Sequence, residues 1–180
     1  SYTYDAQGNM TAITDALAQS TTIEFDNDHK MVKKTDRNGQ SFYWEYDDKG
    51  RCIHTWGDGG LQEGWLQYFP EKGYNKIIES GGAATIYHYD ENQLVHRIEN
   101  PMGASKLFQY TEYMELYREI DEDGNLTGYT YDDRGHMTGI TFPDGTERKY
   151  LYDEQHRLMI SISPGGSQEV YTYYEESNLV

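Results

Sequence analysis

The stretch Tyr-Thr-Tyr-Asp-Asp-Arg-Gly-His-Met-Thr-Gly-Ile-Thr at residues 129–141 decides the fold of this 180-residue chain. Tyr129 and Tyr131 are two residues apart, so both project from one face of an extended strand. Residues 132–135 supply a turn, because Asp bonds to nearby backbone groups and Gly adopts positive φ readily. Residues 136–141 return as a second strand. The stretch therefore predicts a short antiparallel hairpin.

The same pattern recurs along the whole chain with a period of 21 residues, apart from one spacing of 22. Such self-similarity is the signature of a repeat architecture. The aromatic residue that corresponds to Tyr131 in each repeat is here called the anchor. The anchors are Tyr4, Phe25, Tyr46, Tyr68, Tyr89, Tyr110, Tyr131, Tyr152 and Tyr173.

Two further positions keep the same register, and both predict turns. The residue after the anchor is Asp in six repeats, and the fourteenth residue after it is Gly in seven. Each repeat therefore predicts two short strands and two turns, and residues 1–180 predict one array of about eight repeats. The residues that define the two turns are Asp5, Asp26, Asp47, Asp90, Asp132 and Asp153, and Gly39, Gly60, Gly82, Gly103, Gly124, Gly145 and Gly166.

The single spacing of 22 residues, between Tyr46 and Tyr68, indicates one inserted residue. Gly60 keeps the register counted forward from Tyr46, whereas counting back from Tyr68 gives Leu61. The insertion therefore lies between Leu61 and Gln67, and we expect a β-bulge near Glu63-Gly64-Trp65.

Composition excludes several classes of protein. Only 36% of the residues are hydrophobic, well below the ~45–50% of an ordinary globular domain, so the core must be built from the 18 Tyr. One Cys excludes an internal disulfide framework. No apolar run is long enough for a membrane span, and this stretch has no signal peptide. A net charge of −16 makes nucleic acid a poor partner.

A sheet of roughly 16 strands is too long to stay flat, since open twisted sheets rarely exceed ~10 strands without curling or splitting. We therefore expect an all-β fold in which one long antiparallel sheet curls, with its aromatic face turned consistently one way. Repeat arrays need polar caps at their ends, and neither end of this chain has one. The sequence thus predicts an internal piece of a longer polypeptide.

Three stretches carry a resemblance to a known family. Residues 129–141, 2–14 and 150–158 resemble the YD repeat of the Rhs family, whose pattern is Tyr-x-Tyr-Asp-x-x-Gly-Arg-Leu. The resemblance covers the whole chain, although Phe69 and Thr111 replace the Asp in two repeats. It implies a segment of a spiral, hollow β-shell. In bacterial Rhs proteins and the related insecticidal toxin complexes, such a shell encloses a C-terminal toxic domain, and in teneurins a similar shell serves cell adhesion.

The resemblance implies that this chain is secreted or delivered out of a bacterial cell, for which type VI secretion is one route. The expected partners are the neighbouring repeats of the same polypeptide and an enclosed toxic cargo domain. The segment itself is expected to be non-catalytic, with no catalytic, cofactor-binding or metal-binding residue.

The residues offer little chemistry of their own. Cys52 and His54 could lie side by side on a strand, but Cys52 occupies an apolar position of the repeat and is expected to behave as a buried hydrophobe. Residues 121–125, Asp-Glu-Asp-Gly-Asn, fit a hairpin turn better than a calcium loop, whose glycine is sixth. The six His show no zinc-ligand spacing. The basic residues Lys30, Lys33, Lys34 and Arg37 are expected to be solvated.

The rows of aromatic residues allow two interpretations of function. As structure, cross-strand aromatic pairs hold a thin sheet together, at ~0.2–1 kcal/mol each. As a binding surface, an exposed row could stack on sugar rings, and Tyr129 and Tyr150 are the residues to test. The leading hypothesis is the shell segment, and the alternative is a carbohydrate- or cell-surface-binding adhesion module.

Overall fold

The computed structural model describes residues 1–173 and confirms the all-β class. Seventeen strands and two short 3₁₀ turns, Asp58–Gly60 and Pro70–Lys72, make up its regular structure. No helix of the described residues is long and apolar enough to cross a membrane. The strands are β1 Tyr2–Tyr4, β2 Met10–Thr14, β3 Ser20–Phe25, β4 Met31–Thr35, β5 Ser41–Tyr46, β6 Cys52–Gly57, β7 Leu61–Phe69, β8 Tyr74–Glu79, β9 Ala84–Tyr89, β10 Val95–Glu99, β11 Ser105–Tyr110, β12 Leu116–Ile120, β13 Leu126–Tyr131, β14 Met137–Thr141, β15 Glu147–Tyr152, β16 Leu158–Ile162 and β17 Gln168–Val170.

The chain divides into two compact units, the first spanning residues 1–87 and the second beginning at residue 88. In the first unit, β1 to β8 pair antiparallel, each with the strand that follows it in sequence. In the second unit, β10 to β17 pair in the same way. The meander of two strands per repeat is therefore confirmed within each unit.

A β-bulge lies next to the anchor in six hairpins. In β13–β14, Tyr131 pairs with Met137 and Thr130 pairs with Gly139, so Thr138 is the extra residue of the return strand. The same shift occurs in β1–β2, β3–β4, β5–β6, β11–β12 and β15–β16. Because a bulge reverses the alternation of side chains, the return strands show no simple facing pattern in the sequence.

The inserted residue lies inside the interval predicted for it, at the start of β7. Thr55 pairs with Gly64 and Gly57 pairs with Leu61, so Gln62 and Glu63 together face a single residue of β6. Gln62 has a φ of 50°. The bulge thus includes Glu63, as expected, and begins one residue earlier than predicted.

The sheet is a single layer, and among the described residues no hydrophobic side chain is buried. The anchors after Tyr4 are half-buried, whereas Tyr4 is exposed. We expected the aromatic side chains to lie on one face of the sheet, but they lie on both faces. Tyr43 pairs with Trp56 across β5–β6, and strand alternation places both on the face opposite the anchor Tyr46.

Candidate functional site: turns and anchor tyrosines

The Asp after the anchor builds the first turn in six repeats. Asp132 Oδ1 accepts the backbone N–H groups of Arg134 at 3.0 Å and His136 at 2.9 Å. The N–H of Gly135 donates to the carbonyl of Asp132 at 3.2 Å. One carboxylate therefore pairs two backbone donors that the tight turn would otherwise leave to water. The same two side-chain bonds form at Asp5, Asp26, Asp47, Asp90 and Asp153.

The second turn of the repeat uses the same chemistry, which the sequence analysis missed. Asp36 Oδ1 accepts the N–H groups of Asn38 at 2.8 Å and Gln40 at 3.0 Å. The signal was present in the sequence, because Asp36 stands three residues before Gly39, the same spacing as Asp132 and Gly135. Three more residues at this position make these bonds, namely Asp15, Asn100 and Asp121.

The last residue of each turn adopts the left-handed backbone conformation, with a positive φ. The predicted glycines of the second turn have φ between 79° and 85°, and non-glycine residues are forced into the same region at Ala18 and, in the first turn, at Met114. A left-handed conformation costs an L-residue about 1–2 kcal/mol, so glycine suits this position. The glycines concerned are Gly39, Gly60, Gly82, Gly103, Gly124, Gly145 and Gly166.

In six repeats, the hydroxyl of the anchor tyrosine bonds to a backbone carbonyl of the preceding hairpin. Tyr131 Oη donates to the carbonyl of Leu116 at 2.8 Å, and Tyr152 Oη donates to the carbonyl of Met137 at 2.8 Å. The sequence analysis predicted a packing role for the rings but not this bond, which explains why tyrosine and not phenylalanine predominates. The same bond is made by Tyr46, Tyr68, Tyr110 and Tyr173.

A cation five residues after the anchor connects the turn to the next anchor. Arg157 Nε donates to Asp153 Oδ2 at 2.8 Å, and its guanidinium carbon lies 4.6 Å from the ring centroid of Tyr173. Arg51 bonds Asp47 in the same way and lies 4.4 Å from the ring centroid of Tyr68. Each such residue combines a charge-assisted hydrogen bond with a cation–π contact.

The pKa values of the turn carboxylates and of the anchor hydroxyls are shifted in opposite directions. The backbone N–H of His136 holds the pKa of Asp132 below its ordinary value, and the backbone N–H of Arg157 does the same for Asp153. Burial raises the pKa of the anchor hydroxyls of Tyr131 and Tyr152. The carboxylates therefore stay charged and the phenols stay neutral at pH 7.

Cys52 and His54 do not form a nucleophilic pair. The bulge at β5–β6 pairs Cys52 with Tyr46 and His54 with Glu45, so the thiol and the imidazole lie on opposite faces of the sheet. The Cys52 thiol donates to the carbonyl of His54 at 3.5 Å, and burial raises its pKa. It remains a neutral thiol, and the expectation that the two side chains could stand side by side is wrong.

The other candidate clusters serve the turns and surfaces. Asp121 accepts the N–H groups of Asp123 and Asn125, so residues 121–125 form a hairpin turn. In the basic cluster, Lys33 pairs with Glu24 at 3.0 Å. Within residues 1–173, no three His, Cys, Asp or Glu side chains are grouped so that they could hold a metal ion.

An aromatic stack on the opposite face is a further feature that the sequence did not reveal. The ring of His54 stacks on Trp56 at 4.3 Å and on Trp65 at 5.0 Å between centroids. Its two ring nitrogens lie 3.2 Å from Glu45 Oε2 and 3.1 Å from Glu63 Oε1. The stack depends on the cross-strand register, which the two neighbouring bulges determine.

Comparison with known proteins gives matches of two kinds. The RHS Repeat family model matches residues 118–147 and 131–168. A curated relative, "Probable deoxyribonuclease RhsB" of Dickeya dadantii (strain 3937), is 26% identical over 131 residues, which is 72% of this chain and 9% of that protein. The chain therefore spans about a tenth of the length of this relative.

Solved structures show the same fold. The Tc holotoxin pore of Photorhabdus luminescens, with a mutation in TccC3, matches 85% of this chain and 9% of its own chain, at 20% identity and a TM-score of 0.60. The TcdB2–TccC3 complex matches 91% of this chain and 11% of its own, at 16% identity and a TM-score of 0.62. Residues 118–168 thus match the RHS Repeat family model, and the fold of the chain is similar to that of these toxin-complex structures.

Proposed function

We propose that this chain is a segment of a β-shell wall that encloses a toxic cargo domain of a secreted bacterial toxin, and that it is not itself catalytic. The observation that carries the proposal is the use of polar groups within the repeat. The turn carboxylates bind backbone N–H groups, and the anchor hydroxyls bind the preceding hairpin. These groups act in architecture, as a wall requires.

The energetics of a single-layer sheet also favour a wall. With no buried hydrophobic side chain in the described part of the chain, each hairpin depends on its neighbours for stability. Repeat arrays of this kind gain stability from the interfaces between successive units. We propose that Tyr131, Asp132 and their counterparts in the other repeats are the residues that make these interfaces, and that residues 1–180 act as one array.

The partners follow from the same proposal. The neighbouring repeats would continue the sheet, and the cargo domain would lie behind it. The relative from Dickeya dadantii is named for a deoxyribonuclease, and the matching segment is 9% of its length. We propose that in a protein of this type the activity belongs to the cargo, and that this acidic segment, with a net charge of −16, contacts neither nucleic acid nor membrane.

Limited proteolysis of the full-length protein tests the proposal. The cargo domain is expected to be digested much more slowly with the array present than after the array is deleted. As a matched pair, Tyr131→Asp places a charge between two hairpins and should accelerate digestion, whereas Tyr113→Asp changes an exposed turn residue and should not. Equal digestion rates with and without the array would contradict containment. Saturable glycan binding that is lost in Tyr150→Ala would instead favour the adhesion module.

A further inference from the structure

In several repeats, the fifth residue after the anchor places a cation on the ring of the next anchor. The guanidinium carbons of Arg51 and Arg157 lie 4.4 and 4.6 Å from the ring centroids of Tyr68 and Tyr173. Lys30 Nζ lies 5.8 Å from the ring centroid of Tyr46. In these three contacts, the chain supplies both the aromatic ring and the cation.

The repeat that begins at Tyr110 replaces this cation with an acid. The fifth residue after Tyr110 is Glu115, and Thr111 stands in place of the turn Asp. Glu115 occupies the same place in the fold as Lys30. A Cβ built on Gly135 would lie 3.0 Å from Glu115 Oε1, just as a Cβ on the corresponding Gly50 would lie 2.9 Å from Lys30 Cε.

A groove of about 630 Å³ lies at this point of the second unit. Its walls include both aromatic rings and carboxylates. Its acids are Glu112, Glu115, Asp132 and Asp133. Asp132 Oδ2 lies 3.0 Å from His136 Nδ1, whereas the other three carboxylates form no ion pair with any of residues 1–173. The Thr111 hydroxyl donates to Glu115 Oε2 at 3.2 Å. The residues that matter here are Tyr113, Tyr117, Tyr131, Glu112, Glu115 and Asp133.

Arg118 and Arg134 lie beside the groove, and each contacts a ring. Arg118 lies over the ring of Tyr117, with 5.7 Å between the guanidinium carbon and the ring centroid. Arg134 lines the adjoining cavity, and its Nη1 lies 2.9 Å from Nε2 of His156. Three of the four acids of the groove are therefore without an ion-pair partner among the described residues, and they give the groove a local negative charge beside the ring of Tyr131.

We infer that this groove binds an arginine side chain of a partner polypeptide. The guanidinium would stack on the ring of Tyr131 and pair with Glu115, the combination of ring and carboxylate that Arg51 and Arg157 make inside the chain. Arg suits such a site, because its planar group stacks on aromatic faces and pairs with carboxylates. The inference is independent of the shell function, since it concerns a surface groove between two neighbouring hairpins.

Peptide binding to the full chain tests the inference. The probes are a hexa-arginine peptide and a hexa-citrulline peptide, which keeps the shape of arginine without its charge, and affinity is measured by isothermal titration calorimetry at low salt. Glu115→Gln should weaken hexa-arginine binding about tenfold, the loss expected for one charge-assisted pair. Glu91→Gln removes the same charge at an exposed turn position of another repeat and should change the affinity less than twofold.

Glu115→Arg supplies a second variant, because it restores the internal cation. It should abolish the site and raise the melting temperature, as expected if the new guanidinium takes the place that Arg157 has in its repeat. Equal weakening by Glu115→Gln and Glu91→Gln would show attraction to net charge alone and would overturn the inference. So would citrulline binding as tight as arginine binding, or undiminished affinity in a folded Glu115→Arg chain.

Discussion

Removing a single anchor hydroxyl should destabilise the chain by an amount that the structure sets. Tyr152→Phe keeps the ring and its packing but deletes the bond from Tyr152 Oη to the carbonyl of Met137, at 2.8 Å. One such bond contributes about 0.5–1.5 kcal/mol to the free energy of unfolding. For a chain of this size, 1 kcal/mol corresponds to a fall in melting temperature of about 2–4 °C.

Tyr150→Phe is the matched control on the same strand. Tyr150 stands two residues before Tyr152 on β15, is also half-buried, and its hydroxyl makes no hydrogen bond with the described residues. Its removal should change the free energy of unfolding by less than about 0.5 kcal/mol, as is usual for surface substitutions. The assay is urea unfolding followed by far-ultraviolet circular dichroism, with hydrogen exchange to place the loss near Met137.

The hydrogen bonds of all the anchor hydroxyls together make a large contribution to stability. Six described anchors make the bond, so together the hydroxyls contribute about 3–9 kcal/mol, a large share of the ~5–15 kcal/mol that holds a typical domain folded. If Tyr152→Phe and Tyr150→Phe lower the urea midpoint equally, the hydroxyl bond is not what connects the hairpins, and the reasoning fails.

Three further predictions follow from the same contacts. Phe25→Tyr should add the missing bond, to the carbonyl of Met10 fifteen residues earlier, and raise the urea midpoint, whereas an unchanged midpoint would show that the carbonyl is out of reach. Met114→Gly should stabilise the chain by about 1 kcal/mol in urea unfolding, because Met114 has a φ of 66° and is exposed, and Gly124→Ala, at a φ of 85° with open space around it, should destabilise it by a similar amount. The pKa of Asp153 lies below its ordinary value of 3.8, so its contribution to stability is present above that pH and is lost as the pH falls through the lowered pKa. Asp153→Asn should therefore make the melting temperature less dependent on pH below 4, and an unchanged acid limb would contradict the assignment.

The strands and the order of their pairing could be predicted because the signals are local. The alternation at Tyr129 and Tyr131 indicates a strand, and the Asp and Gly positions indicate where each strand ends. The inserted residue could also be located, because a period of 21 leaves one residue unassigned between Leu61 and Gln67. These features depend on neighbours within one repeat.

The facing of the return strands could not be predicted, because it depends on bulges. One extra residue after Cys52 moves His54 to the other face and separates two side chains that the spacing alone places together. The stack of His54 with Trp56 and Trp65 depends on the same shift. A bulge arises from the pairing of two strands, so a single strand's sequence does not show it.

The hydrogen bonds of the anchor hydroxyls could not be predicted either, because they too depend on contacts between hairpins. The sequence shows which residues recur, but the partner of the Tyr131 hydroxyl is a backbone carbonyl fifteen residues earlier, which carries no sequence signal. The role of Asp36 does have a sequence signal, because Asp36 stands three residues before Gly39 as Asp132 stands three residues before Gly135.

Electron cryomicroscopy of the full-length protein would show whether these repeats form part of an enclosing shell. We expect a closed wall in which these repeats continue into their neighbours, with density for the cargo domain inside it. Density for the cargo on the outer surface, or an array that ends as an open sheet with no enclosed space, would contradict it.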